Sequence, residues 1–319
     1  MPGFTPSMND TSLKLENERR WALIVGILSV LGVLLIAGSY IYAGAGIPKG
    51  DGGTADYLRN IDTHRSVQII SSILQALGYV LLLAPLVFLF KAASARATQV
   101  RAGLIGVIIA APLFLGAAAI TNSVSNLDAA TQFKNDGVTK TAECVTDEKA
   151  KAAEDTSGDA KSPEDIQQDC ENQTADDMRG DTSTSGLTAG FGLAGLLGFT
   201  ISVVYVALWT MRTGLVTRFW GSLGMALGAV SVLFPLFVLL WFIYVGLLIV
   251  GWIPGGRPPA WAAGEAIPWP DPRAVAAEDT DDDDVIDGTA EEVDAAGGTG
   301  NGTPAPQIER RKRKKRSDQ

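Results

Sequence analysis

Hydrophobic residues in this chain are concentrated in five stretches that contain no Asp, Glu, Lys or Arg. A helix of a soluble protein keeps a polar outer face, so this pattern excludes a water-soluble globular protein. The pattern is typical of helices in lipid, where about 20 apolar residues cross the hydrocarbon core. The uncharged stretches are residues 22–48, 66–90, 102–127, 182–211 and 219–256.

The first four stretches are each long enough for one crossing, whereas the apolar run 219–253 is too long for one and barely enough for two. Pro235 lies at its middle and disfavours a continuous helix. We therefore predict two short helices, 219–234 and 236–253, joined by a tight turn; one long kinked helix is the alternative. The predicted fold class is an all-α integral membrane protein, a six-span transmembrane helix bundle with five spans as the alternative.

The distribution of basic residues predicts how the chain is threaded. Lys and Arg of short loops stay on the cytoplasmic side, and tryptophan favours the membrane boundary. Three basic groups share one side if the N-terminus is inside, and six spans place the basic end of the tail there too, so we expect both termini in the cytoplasm. The opposing first loop also carries Lys49, Arg59 and Arg65, against Asp51, Asp56 and Asp62. The groups are Lys14, Arg19 and Arg20 before the first span, Lys91, Arg96 and Arg101 in the second loop, Arg212 and Arg218 in the fourth, and residues 310–316; Trp21, Trp209, Trp220 and Trp252 lie at span ends.

These positions divide the chain into five predicted regions. The last region is expected to be disordered, because its composition cannot bury enough apolar surface to fold. Its first part, 254–270, is nevertheless rich in Pro and Trp, and we expect it to form an interfacial collar in which Arg257 reaches lipid phosphate and Trp261 and Trp269 lie at the boundary. The regions are 1–20, a cytoplasmic N-terminal segment; 21–121, spans one to three; 122–185, an acidic extracytoplasmic loop; 186–253, spans four to six; and 254–319, a cytoplasmic disordered tail that is acidic over 278–294 and basic over 310–316.

The loop 122–185 carries 15 acidic and six basic residues and is predicted to be helical. The third span should extend outward and end near Gly137. A second helix should begin at Ser162 and Pro163 and end at Gly180, because serine caps a helix start, proline suits the first turn and glycine ends helices.

Both cysteines of the chain, Cys144 and Cys170, lie in this loop. An extracytoplasmic compartment permits disulfides, and we predict a bond between them that stabilises the folded loop by about 3–4 kcal/mol. Two free thiols are the alternative. A metal site is not expected, because two thiolates leave zinc two ligands short.

Polar residues cluster on one face of the second span, at the spacing of helical neighbours. In lipid such a face either joins helices by hydrogen bonds or lines a polar cavity. The spans contain no ionisable acid or base, which argues against a proton relay or an ion-coupled transporter. No catalytic motif is present, so we predict no enzyme activity and no cofactor. The candidate polar face consists of Gln68, Ser71, Ser72 and Gln75, continued by Tyr79.

The sequence around the last apolar run has a recognisable pattern. Residues 212–224 read RTGLVTRFWGSLG, residues 254–261 read PGGRPPAW and residues 264–270 read GEAIPWP. This pattern resembles a group of uncharacterised multi-pass integral membrane proteins from actinobacteria. The resemblance is strongest over 212–270 and implies a bacterial inner (cell) membrane location, without any activity or site residue.

We hypothesise a non-enzymatic structural or sensory adaptor that acts through its outer loop and inner tail. The alternative is a carrier or channel for a small neutral or lipid-like solute. The expected partners are the bilayer, anionic lipid at the basic tail and a protein at 122–185 or at the tail, with nucleic acid less favoured. The basic cluster consists of Arg310, Arg311, Lys312, Arg313, Lys314, Lys315 and Arg316.

Overall fold

The computed structural model describes residues 8–48, 53–154 and 161–269. Helices make up 83% of these residues and no strand occurs among them, so the fold is all-α. The helices are α1 (Met8–Gly46), α2 (Thr54–Thr63), α3 (Arg65–Arg96), α4 (Ile105–Glu154), α5 (Pro163–Gly180), α6 (Ser185–Arg212), α7 (Arg218–Val230), α8 (Phe237–Val250) and α9 (Ala260–Ala263), with a 3₁₀ turn at Ala102–Leu104 before α4.

Four helices, α1, α3, α4 and α6, are long and apolar enough to cross a membrane. Helices α7 and α8 have 13 and 14 residues. At about 1.5 Å per residue each is roughly 20 Å long, shorter than the hydrocarbon core of about 30 Å. The fold is that of an all-α membrane protein in which these two short helices differ from the other four.

Helices α7 and α8 form an antiparallel hairpin. The rings of Trp220 and Tyr244 stack with centroids 3.7 Å apart, and Trp241 Nε1 donates to the Trp220 carbonyl at 3.1 Å. The prediction of two helices around Pro235 is confirmed, and the alternative of one kinked helix is wrong. Helix α7 ends four residues earlier than predicted, because residues 231–234 form turns before Pro235, which has no N–H. Helix α8 begins one residue later than predicted and ends three residues earlier, at Val250, before Gly251 in the left-handed conformation.

The six helices of the bundle form a closed ring in the order α1, α3, α4, α6, α7, α8, and α8 packs back on α1. The interior is apolar, with Leu82, Leu86, Trp241 and Phe242 fully buried. Helices α1 and α3 cross closely, because a Cβ added at Gly78 would lie 2.8 Å from the carbonyl oxygen of Gly32.

Helix α4 has 50 residues and is therefore about 75 Å long, more than twice the hydrocarbon thickness. The prediction that it ends near Gly137 is wrong, since it continues to Glu154. A glycine inside a helix costs only about 1 kcal/mol. Packing of this part of α4 on α2 and α5, together with the bond from Cys144 to Cys170, offsets that cost.

The two ends of the bundle carry different structures. We call one the head, formed by α2, residues 127–154 of α4, and α5. We call the other the collar, residues 251–269, which lies where α1 and α7 begin and α3, α6 and α8 end. The tail predicted as disordered from residue 254 therefore begins with a folded segment, because its side chains bond to the bundle. Residues 270–319, with the acidic and basic runs, lie outside the described residues.

Candidate functional site

The head has a small apolar core of its own. Leu58 and Ile61 of α2, Ala129 of α4 and Met178 of α5 are each at most 2% exposed. Sequence analysis did not predict α2. Its signal was the spacing of Ala55, Leu58 and Ile61, three residues apart, which places them on one helix face.

The disulfide predicted between Cys144 and Cys170 is present. It joins α4 to α5 with the two Cα atoms 5.7 Å apart, within the range usual for this bond. The start of α5 is also as predicted, because Ser162 Oγ accepts a hydrogen bond from the Asp165 backbone N–H at 3.1 Å. The cap stabilises the first turn of α5, and the covalent bond holds α5 beside α4.

The start of α2 is held by a side chain from α5. The backbone N–H of Ala55 donates to Asn172 Oδ1 at 3.0 Å, so a residue distant in sequence supplies the helix cap. Gly53 precedes the helix with φ +86°, and a Cβ at this position would lie 2.7 Å from Asn172 Oδ1. Only glycine fits both the backbone conformation and this close approach.

A groove of about 710 Å³ lies between the three parts of the head. Phe133, 7% exposed, forms part of its apolar base, and Val138, 82% exposed, lies at its open edge. Charged side chains form its rim in ion pairs: Arg59 with Glu171 at 2.6 Å, and Lys134 with Asp62 at 2.7 Å. The hydrogen bond to Glu171 raises the pKa of Arg59. An apolar base with a charged rim is the usual anatomy of a protein-binding surface.

The candidate polar face of α3 takes part in helix packing. Ser71 and Ser72 donate to carbonyls of their own helix, Ser123 of α4 donates to the Gln68 carbonyl at 3.3 Å, and Gln75 Nε2 donates to Tyr40 Oη at 2.9 Å. These bonds connect α3 to both α4 and α1. The arrangement is that of interhelical hydrogen bonding.

A small cavity lies further along this face, beside Tyr79. It measures about 20 Å³ and is lined mainly by apolar side chains, including Phe199 and Leu239. This is roughly the space that one water molecule needs. A solute larger than water would have to separate the helices at this level.

The collar is fixed to the loop between α6 and α7 by hydrogen bonds to backbone carbonyls. Trp261 Nε1 donates to the Leu215 carbonyl at 2.9 Å, and Trp269 Nε1 donates to the Val216 carbonyl at 3.1 Å. Trp261 is only 7% exposed, so its ring packs against the protein, and the expectation that it lies at the membrane boundary stays a prediction. Its indole N–H has a buried acceptor, the Leu215 carbonyl, that it reaches only when the collar is folded against the bundle.

One glycine allows the collar to approach the loop between α6 and α7. Gly214 has φ +75°, and a Cβ there would lie 2.0 Å from the Ile267 carbonyl oxygen. The Ile267 N–H donates to the Thr213 carbonyl at 3.2 Å. The backbones are therefore in direct contact at a point where a side chain has no space.

A buried ion pair completes the collar. Arg96, at the end of α3, donates two hydrogen bonds of 2.9 Å to the Glu18 carboxylate and one of 3.1 Å to the Ala260 carbonyl. The Arg96 side chain is 1% exposed and the Glu18 side chain 19%. Sequence analysis placed Arg96 in a basic loop and did not find this partner, because Glu18 is distant in sequence.

Arg257 has an unusual environment within the collar. Its guanidinium lies 5.6 Å from the centroid of the Trp261 ring, donates to the Ile249 carbonyl at the end of α8, and has a buried Nε with no partner among the described residues. Burial lowers the pKa of Arg257, nearby Arg19 lowers it further, and Glu18 opposes this shift. The positive charge of Arg257 is therefore not fully balanced by the surrounding protein groups.

No group of three His, Cys, Asp or Glu residues among the described residues could hold a metal ion. The predicted lipid-contacting cluster at residues 310–316 lies outside the described residues. No family model matches this chain, and neither a curated protein nor a solved structure is significantly similar to it. The resemblance to actinobacterial membrane proteins therefore stays a prediction.

Proposed function

We propose that the chain is a non-enzymatic adaptor of a bacterial cell membrane that binds a protein partner through its head. Six crossings, with α7 and α8 counted as the last two, place both termini in the cytoplasm and the head outside. The distribution of Lys and Arg supports this orientation. The disulfide supports it too, because such bonds persist in oxidising compartments.

The observation that carries the proposal is the groove of the head. The groove has about 710 Å³, an apolar base and paired charges on its rim. Its walls are fixed by a covalent bond, so a partner would meet a surface already in its binding shape. The basic run 310–316 would add contact with anionic lipid on the cytoplasmic side.

The alternative of a carrier for a small neutral or lipid-like solute has less support. The polar face of α3 is used in contacts with α1 and α4, and the cavity beside Tyr79 has about 20 Å³. Replacement of Gln68 and Gln75 by Leu would abolish solute flux in a carrier. In an adaptor the same change lowers only the stability of the bundle.

Photocrosslinking in intact cells tests the proposal. A photoreactive amino acid replaces Val138, which lines the groove and is 82% exposed, or Gln168, an exposed α5 residue that does not line it. The proposal predicts a discrete crosslinked product, identified by mass spectrometry as a different protein, at 138 and not at 168. Equal products at both positions, or none at 138, would contradict it.

A further inference from the structure

Arg257 lies between two cavities at the collar end of the bundle. The first, which we call the apolar cavity, has about 860 Å³ and lies between the collar and the facing sides of α7 and α8. The second, the polar cavity, has about 310 Å³ and lies against the start of α1. Arg257, Pro258 and Pro259 line both. The apolar cavity includes Phe219, Trp220, Leu240, Ile243, Tyr244 and Leu247.

The polar cavity has an excess of positive charge. Glu18 is the single carboxylate among the described residues that line it, and both of its oxygens bond to Arg96. Arg19 and Arg257 also line the cavity, so two cations share it without a carboxylate of their own. Bringing them together is unfavourable unless an anion enters. A guanidinium pairs with a phosphate through two parallel hydrogen bonds.

The surroundings of the apolar cavity indicate a lipid boundary. Phe219 is 68% exposed and Trp252 is 70% exposed, both at the same end of the hairpin. Aromatic side chains concentrate at the level of the lipid headgroups. The cavity therefore begins at the level of the phosphates and continues along α7 and α8, where acyl chains lie.

We propose that the two cavities together bind one anionic phospholipid. Its phosphate lies between Arg257 and Arg19, and one acyl chain lies in the apolar cavity beside Tyr244 and Leu247. An anionic headgroup is favoured over a zwitterionic one, because a quaternary amine would add a third cation to the pair. None of the residues of this site belongs to the groove of the head.

The test is native mass spectrometry of the full chain after equilibration with equal amounts of phosphatidylglycerol and phosphatidylcholine. The wild type should retain one phosphatidylglycerol molecule about tenfold more than phosphatidylcholine, because the choline cation is repelled by Arg19 and Arg257. Arg257→Gln and Arg19→Gln should each remove this preference. Arg212→Gln is the matched control, because it removes an exposed base at the same end that lines neither cavity.

The two variants keep the test independent of folding. Arg257 also donates to the Ile249 carbonyl, so its loss affects the end of α8, whereas Arg19 is exposed and leaves that bond in place. Loss of the preference in both variants supports the site. Its retention in either variant overturns the site, as does equal retention of the two lipids by the wild type. Release of phosphatidylglycerol by millimolar inorganic phosphate would also overturn it, since the site would then recognise free phosphate.

Discussion

The head and the collar lie at the two ends of the helix bundle, and different interactions hold each of them together. In the head, the Cys144–Cys170 disulfide and half-exposed ion pairs such as Arg59–Glu171 join the parts. In the collar, Trp261 donates to a backbone carbonyl and Arg96 is buried against Glu18. The head uses bonds suited to water and oxidising conditions, and the collar uses bonds that are strong where water is scarce.

Because of this difference, we expect the head and the collar to lose their folded structure under different conditions. Reducing agents and salt should act on the head, and removal of single buried donors should act on the collar. The tryptophans allow the two to be measured separately, because the head contains none. They are Trp21, Trp209, Trp220, Trp241, Trp252, Trp261 and Trp269.

The largest effect is expected from replacement of Cys144 and Cys170 by Ser. The change should destabilise the head by about 3–4 kcal/mol, because the unbonded segment gains conformational freedom when unfolded. Limited proteolysis in the head should become much faster while tryptophan emission stays unchanged. Unaltered cleavage, or a shift of the emission, would contradict independent stabilisation of the two ends.

The next largest loss of stability is expected from Arg96→Met, at the end of α3 that contacts the collar. It leaves the Glu18 carboxylate without its partner and should cost about 2–3 kcal/mol, less than for a fully buried pair because Glu18 is 19% exposed. Thermal unfolding in detergent measures the loss. Arg212→Met, at an exposed base over Trp209, should cost under about 1 kcal/mol. Addition of Glu18→Gln to Arg96→Met should recover part of the stability, and no recovery would argue against the pair.

Gly214→Ala should detach the collar at a cost of about 2 kcal/mol. The left-handed backbone costs about 1–2 kcal/mol for alanine, and the added Cβ clashes with the Ile267 carbonyl oxygen. Gly256→Ala is the matched control, because its φ is +73° and nothing lies within 4 Å of the added Cβ. A red shift of Trp emission should follow the first change and not the second. Equal behaviour of the two variants would exclude the close contact as the cause.

The smallest effect is expected from Arg59→Gln in the head. Its side chain is 52% exposed, so loss of the pairs with Asp56 and Glu171 should cost less than about 1 kcal/mol. High salt should reduce the difference from the wild type in denaturant unfolding. A cost above that of Gly214→Ala would show that the ion pairs of the head have been underestimated.

Sequence alone predicted the elements that local chemistry determines. Long uncharged runs gave the four long helices, Pro235 gave the break between α7 and α8, and Ser162 with Gly180 gave the limits of α5. The cysteine pair was predicted because no other cysteine competes.

The elements that sequence analysis did not predict depend on contacts between distant residues. Helix α2 has ten residues and becomes stable only on α4 and α5, and α4 passes Gly137 for the same reason. The sequence suggested a collar at the lipid interface and not one bonded to the bundle, because that bonding depends on distant acceptors such as the Leu215 carbonyl. The Arg96–Glu18 pair joins helix ends that are 78 residues apart. No local pattern marks such a pair.

The central claim is that the head and the collar lie on opposite sides of one membrane, with the collar in the cytoplasm. The described residues include no free cysteine, so Val138→Cys in the head or Ala263→Cys in the collar adds one reactive thiol. Labelling of spheroplasts with a membrane-impermeant maleimide should modify position 138 at once and position 263 only after permeabilisation. Labelling of position 263 in intact spheroplasts would contradict the account.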